Sequence, residues 1–196
     1  MSETTGSFAP ATPPSVDPAT VRDQVPLDGT AEARVDWRLP AVTGDEAQVV
    51  EVVRYNVALE ALARSEEDPR RVATWWGAFT TDGELDAQYS YAADRTPDRQ
   101  TGPRRAWVAP PQQTGPGTYD VGVCLDVSRV EVAGTDGSST ARDRARAVTY
   151  TVVDTDRADE SAAWRVSRAA GVSAAPPFDD GADEREACWD WATSGS

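Results

Sequence analysis

The alternation of apolar and polar positions is clearest between residues 119 and 169. Val121, Val123, Leu125 and Val127 alternate with Asp120, Gly122, Cys124 and Asp126. That is the period-2 signature of a half-buried strand over residues 119–128. The pattern breaks at Ser128 and Arg129, where a bulge would keep Val130 and Val132 on the valine face. Residues 134–139 read as a hairpin connection, and residues 144–153 as a second strand with Val148, Tyr150 and Val152 on one face. A third strand over residues 163–169 turns Trp164 and Val166 inward. Together they predict a three-stranded antiparallel meander.

Upstream the period changes to that of a helix. Val49, Val52, Tyr55, Leu59 and Leu62 follow helical spacing from residue 45 to about 64, with Val50, Val53, Val57 and Ala61 as an adjacent stripe. Asp45 is the expected N-cap, and Glu46 and Glu51 suit the early turns. Only the strip of Glu51, Arg54, Ala58 and Ser65 reads as solvent-facing, so this helix should be gripped on more than one side. Asp68 as N-cap and Pro69 at the first position open a second helix over residues 69–79. Its Val72, Trp75, Trp76 and Phe79 lie three and four apart. The two tryptophans read first as core, against an exposed aromatic patch.

Residues 83–95 fit either element: Leu85, Ala87, Tyr89 and Tyr91 alternate, while Asp82 and the Ala/Glu/Gln content favour a short helix, the preferred reading. Residues 105–109 form a short strand ended by Pro110 and Pro111, which cannot donate to a ladder. Residues 112–117 read as loop. Residues 1–40 are rich in Pro, Ser, Thr and Ala and show almost no apolar period. They are expected to be a disordered tether, with Trp37 and Leu39 the first to dock on the folded part. The domain is then residues 41–192, with a short helix over 183–192 and a disordered end at 193–196.

Composition narrows the chemistry. The net charge is −14 and all nineteen basic residues are arginine; Lys and Ile are absent, the mark of a high-GC genome. That charge disfavours phosphate backbones and anionic lipid, so no nucleic-acid partner is expected. The chain has no His, which removes Ser-His-Asp and Cys-His catalysis and every His-ligated metal site. Two Cys cannot close a structural zinc site alone. Neither metal nor other cofactor is expected. No run of eighteen apolar residues spans a membrane, and no apolar leader segment follows Met1 within this chain.

Cys124 lies on the strand face opposite the valines, and Cys188 lies in the terminal segment. A bridge between them would tie the tail across the back of the meander and contribute about 4 kcal/mol by loop closure. The competing reading is two buried thiols. The bridge is preferred, and it implies an oxidising, extracytoplasmic location, with the cytoplasm as the alternative.

The order of two or three helices, a short strand and a long meander resembles the NTF2-like, cone-shaped α+β fold. Residues 123–128 (VCLDVS), 148–153 (VTYTVV), Trp164, Arg165, Val166 and Cys188 resemble the ectodomains of actinobacterial secreted proteins and lipoproteins. The resemblance covers roughly residues 44–190, and neither the N-terminal signal nor the lipobox Cys of those proteins is present. It implies a curved sheet around helices with a cavity at the cone mouth, framed here by Tyr55, Trp75, Trp76 and Trp107. The expected function is a non-enzymatic cell-envelope or secreted domain for protein interaction or assembly, its protein partner unknown. The alternatives are a small-ligand-binding module, or a carboxylate/Tyr isomerase or dehydratase. For such an enzyme the candidates are Asp86, Asp120 and Asp126, with Tyr55, Tyr89 or Tyr91 as donors.

Overall fold

From the first apolar helix to the last strand, each element covers a face that its neighbour cannot leave in water. The computed structural model describes residues 16–66, 69–85, 99–133, 139–141, 145–155, 164–171 and 184–194. The elements run α1 (Pro18–Gln24), β1 (Val35–Arg38), α2 (Asp45–Ser65), α3 (Pro69–Trp76), β2 (Gln100–Thr101), β3 (Arg104–Val108), β4 (Gln112–Gly115), β5 (Thr118–Asp126), β6 (Glu131–Ala133), β7 (Ser139–Ala141), β8 (Ala145–Asp154), β9 (Trp164–Gly171) and α4 (Glu184–Ser194). The class is α+β. A mixed main sheet has the order β1-β3-β5-β8-β9, with β4 also paired to β5, and β2, β6 and β7 form a second, smaller sheet.

The meander is present: β5 pairs antiparallel with β8, and β8 with β9. Val121, Val123, Leu125, Tyr150, Val152, Trp164 and Val166 are all buried in the main core. The expected bulge after Val127 is not there. Instead the chain turns, the Ser128 amide donating to Asp126 Oδ1 at 2.9 Å and the Val130 amide to the Val127 carbonyl at 3.0 Å. It then leaves the main sheet for β6. Residues 134–138, the expected hairpin connection, lie outside the described residues. The 112–117 loop is also corrected: residues 112–115 are β4, joined to β5 through Pro116 and Gly117. Proline fixes its own φ near −65°, and Gly117 supplies φ 61°, the residue pair a type II turn asks for.

Helix α2 follows the expected bounds within a residue. Its N-cap is Gly44 rather than Asp45, with no side-chain cap; Asp45 and Glu46 instead occupy the first turn, where the helix dipole favours them. Ala58 and Ser65, expected to face water, are buried. The reason is that α2 is enclosed from several directions: by α3, by the sheet, by β2 and by α1. Helix α3 is shorter than expected and ends at Trp76; Trp76 and Phe79 are buried, and Trp75 is half-buried. Residues 82–85 are helical, and the remainder of the ambiguous 83–95 stretch and Asp68 lie outside the described residues.

The reading of residues 1–40 as a tether extends too far. Within it, α1 is capped by Asp17, whose carboxylate accepts from the Ala19 amide at 2.9 Å, with Pro18 at its start. Val21 and Val25 are buried against the core, and Arg22 Nε donates to Glu51 Oε1 at 2.9 Å. β1 adds a parallel strand to β3. The low apolar period hid this because only one or two side chains per element are inserted.

The free side of β9 is covered in part by residues 79–81: the Val166 amide donates to the Phe79 carbonyl at 2.8 Å, and the Thr81 amide to the Val166 carbonyl at 2.9 Å. On the back of the sheet lies α4, tied by a Cys124–Cys188 disulfide with Cα atoms 5.4 Å apart. Trp107 and Trp191 meet there at 5.9 Å, and Arg105 Nη2 donates to the Ala192 carbonyl at 2.6 Å.

Limited proteolysis under native conditions should therefore leave residues 18–38 attached to the core. Release of a fragment ending near residue 40 as the first product, seen by mass spectrometry, would contradict this packing. Denaturing thiol titration without reductant should find no free thiol, and Cys188→Ala should cost about 2–5 kcal/mol in urea unfolding. Two titratable thiols per chain would remove the bridge.

Candidate functional site

Strands β3 and β8 begin, and β5 ends, at the same end of the main sheet, because both neighbours run antiparallel to β5. The C-terminal half of α2 passes over that end. Between them is a cleft of about 510 Å³ lined by Val57, Glu60, Ala61 and Arg64 of α2, Gln100, Arg104, Leu125, Val127, Ala145 and Arg146. The register explains the wall. Leu125 is opposite Ala106 on one side and Arg146 on the other, so Arg146 shares the face that looks towards α2. Arg104 is two residues before Ala106 on that same face. β2 reaches this site because Gly102 lets two backbones touch: a Cβ there would sit 2.4 Å from the Arg129 carbonyl oxygen.

The chemistry of the cleft centres on Glu60. Its Oε1 accepts from Arg64 Nε at 3.0 Å, one helical turn on, and from Arg146 Nη2 at 2.6 Å across the cleft. The Glu-to-Arg order at this spacing is the favourable one on a helix. Burial works to raise the Glu60 pKa, but Arg146 and then Arg64 outweigh it and hold the carboxyl at about 2. Tyr150, buried nearby, is driven the other way, by burial first and then by Glu60, well above an ordinary phenol. Around neutral pH neither group exchanges a proton. Arg104 and Gln100 are buried deeper, Arg104 Nη2 donating to Gln100 Oε1 at 3.4 Å. Arg146 stands at the mouth with its side chain 44% exposed.

The four aromatic residues expected to frame a cavity are not brought together. Tyr55 stacks flat on Phe79 at 4.3 Å, inside the core. Trp76 is core, and Trp75 packs at its margin. Trp107 is on the opposite face of the sheet, between Arg38, whose guanidinium lies 4.5 Å from its ring centroid, and Trp191. The acid candidates fare no better. Asp126 is buried, its Oδ2 accepting from Arg105 Nε at 2.7 Å. Burial opposes its charge, but hydrogen bonds from Ser128 and then Arg105 hold the carboxyl below its ordinary value. Asp120 Oδ1 accepts from the Thr151 hydroxyl at 2.7 Å. Asp86, Tyr89 and Tyr91 lie outside the described residues.

Glu60, Arg64, Arg104 and Arg146 were not singled out by sequence pattern. The Glu60–Arg64 spacing is a visible signal of a helix-surface pair; its role in a cleft wall depends on Arg146, 86 residues away.

Compared with known proteins, the chain matches no family model, and no curated protein is significantly similar to it. Among the described residues, no helix is long and apolar enough to cross a membrane, and no group of three or more His, Cys, Asp or Glu could hold a metal ion.

Linkage gives the sign for Glu60. Its pKa is depressed in the folded state, so its contribution is fully present above about pH 4.5 and is lost as pH falls towards 2. Glu60→Gln should cost roughly 2 kcal/mol at pH 7, and the gap to the parent should close between pH 4.5 and 2 in urea titrations. A gap independent of pH would show that the pairing contributes no net stability.

Proposed function

We propose that this chain is a non-enzymatic, extracytoplasmic, NTF2-like domain that works by binding at the cleft between α2 and the sheet. The observation that carries this reading is the pairing of Glu60 with Arg64 and Arg146, at 3.0 and 2.6 Å. A carboxylate held at about 2 by two guanidinium groups is unsuited to general acid or base work near neutral pH, which needs a pKa close to ambient. Asp126 is paired with Arg105, and Asp120 accepts from the Thr151 hydroxyl. Among the described residues, what remains is a concave, partly apolar surface with fixed polar groups, the anatomy of a binding site.

The disulfide is consistent with an oxidising location. Helices on one face of a curved mixed sheet, with a cleft at the sheet's end, support the NTF2-like architecture. A parallel β1 and a helix over the sheet's back are additions to the expected pattern. The protein-interaction reading and the small-ligand reading then share one site.

A thermal-shift screen of small neutral and charged compounds tests the reading. A compound at 100 times its Kd should add about 2.7 kcal/mol, and mass spectrometry should recover it unchanged. Val127→Trp, which fills the cleft from a half-buried position, should abolish the shift. Hits that survive this substitution would place binding elsewhere, and conversion of a hit would overturn the non-enzymatic assignment.

A further inference from the structure

The binding reading of the cleft leaves open what it binds, and its lining is selective on two counts. In a chain of net charge −14, the described lining residues carry three guanidinium groups, Arg64, Arg104 and Arg146, against one carboxylate, Glu60. The remainder of the lining is mainly apolar: Val57, Ala61, Leu125, Val127 and Ala145.

Resting on that reading, we propose that the cleft receives a ligand made of an apolar body and a single carboxylate, with the carboxylate at Arg146 and Arg64 and the body along Leu125 and Val127. The wall already holds a carboxylate by this chemistry, since Glu60 accepts from both arginines at 2.6 and 3.0 Å. Arginine forks suit the planar, two-oxygen geometry of a carboxylate. A dianionic phosphate suits the site less well, because Glu60 stands ionised beside it. The volume of about 510 Å³ falls within the usual range for a small-ligand pocket. Arg146, at the mouth of the cleft, is the accessible contact.

The same chemistry is offered by a free medium-chain acid and by the C-terminal carboxylate of a peptide ending in apolar residues. Calorimetric titration of the full chain separates them. The probes are decanoate against decanol, and acetyl-Leu-Leu-Val with a free carboxylate against its amide. At least one acid should bind, with its neutral counterpart weaker by about 10-fold or more; whichever acid binds more tightly identifies the source. Arg146→Gln should weaken the acid by about 10-fold or more. Glu60→Gln should tighten it several-fold, because the competing carboxylate is gone. A role for these residues in stability alone would not produce opposite changes in affinity. Equal binding of acid and neutral probe, unchanged affinity in Arg146→Gln, or tighter binding of inorganic phosphate would overturn the proposal. Equal binding that Val127→Trp still abolishes would leave the cleft a binding site with different ligand chemistry. Failure of both acids to bind would also overturn the ligand assignment, while the compound screen judges the cleft itself.

Discussion

Helix α2 has hardly any face that water would accept, and the molecule is arranged to enclose it. Its five valines are a poor choice for a helix, each costing roughly 0.5 kcal/mol against alanine because β-branching freezes χ1. Burial of a valine side chain contributes about 1.5 kcal/mol or more, so the helix is stable only inside its surroundings. The main sheet takes one side and α3 another. α1 takes a third, held by Arg22 on Glu51. At the C-terminus Arg99 Nε donates to the Ser65 carbonyl at 3.0 Å, satisfying one of the acceptors a helix end leaves over.

That enclosure also makes the cleft. The helix continues to the end of the sheet where β3 and β8 begin, and the gap beneath its last turns is bounded by residues that could not be buried without partners. Glu60 satisfies Arg64 and Arg146 together, and the cost of desolvating its charge is offset by two guanidinium contacts. The pairing keeps the wall charged and fixed in place. A wall of that kind is suited to recognition rather than proton transfer.

The back of the sheet obeys a separate constraint. β5 buries both faces over residues 121–126, so something must cover the Cys124 side. α4 does so through the disulfide, the Trp107–Trp191 contact and the Arg105 bond to the Ala192 carbonyl. Arg105 also pairs with the buried Asp126, joining the helix to the adjacent strands β3 and β5. A short helix with few apolar contacts depends on a covalent tie of this kind.

The sequence by itself determined the meander, the span of α2 and the short strand before Pro110. Each has a local apolar period long enough to read, and each break coincides with residues that cannot continue the element. It also pointed to the cysteine pair, through their even count and the strand face of Cys124. Only the tertiary structure decided the rest. α1 and β1 are held by a few inserted valines and by Arg22, which no period records. Trp107 and Tyr55 carry the same residue chemistry expected of a cavity, yet lie on opposite sides of the sheet. The cleft is set by contacts between residues 60 and 146, and a one-dimensional pattern cannot say which distant charges share a wall. Local spacing fixes which side of a strand or helix a residue occupies; packing alone fixes what stands opposite it.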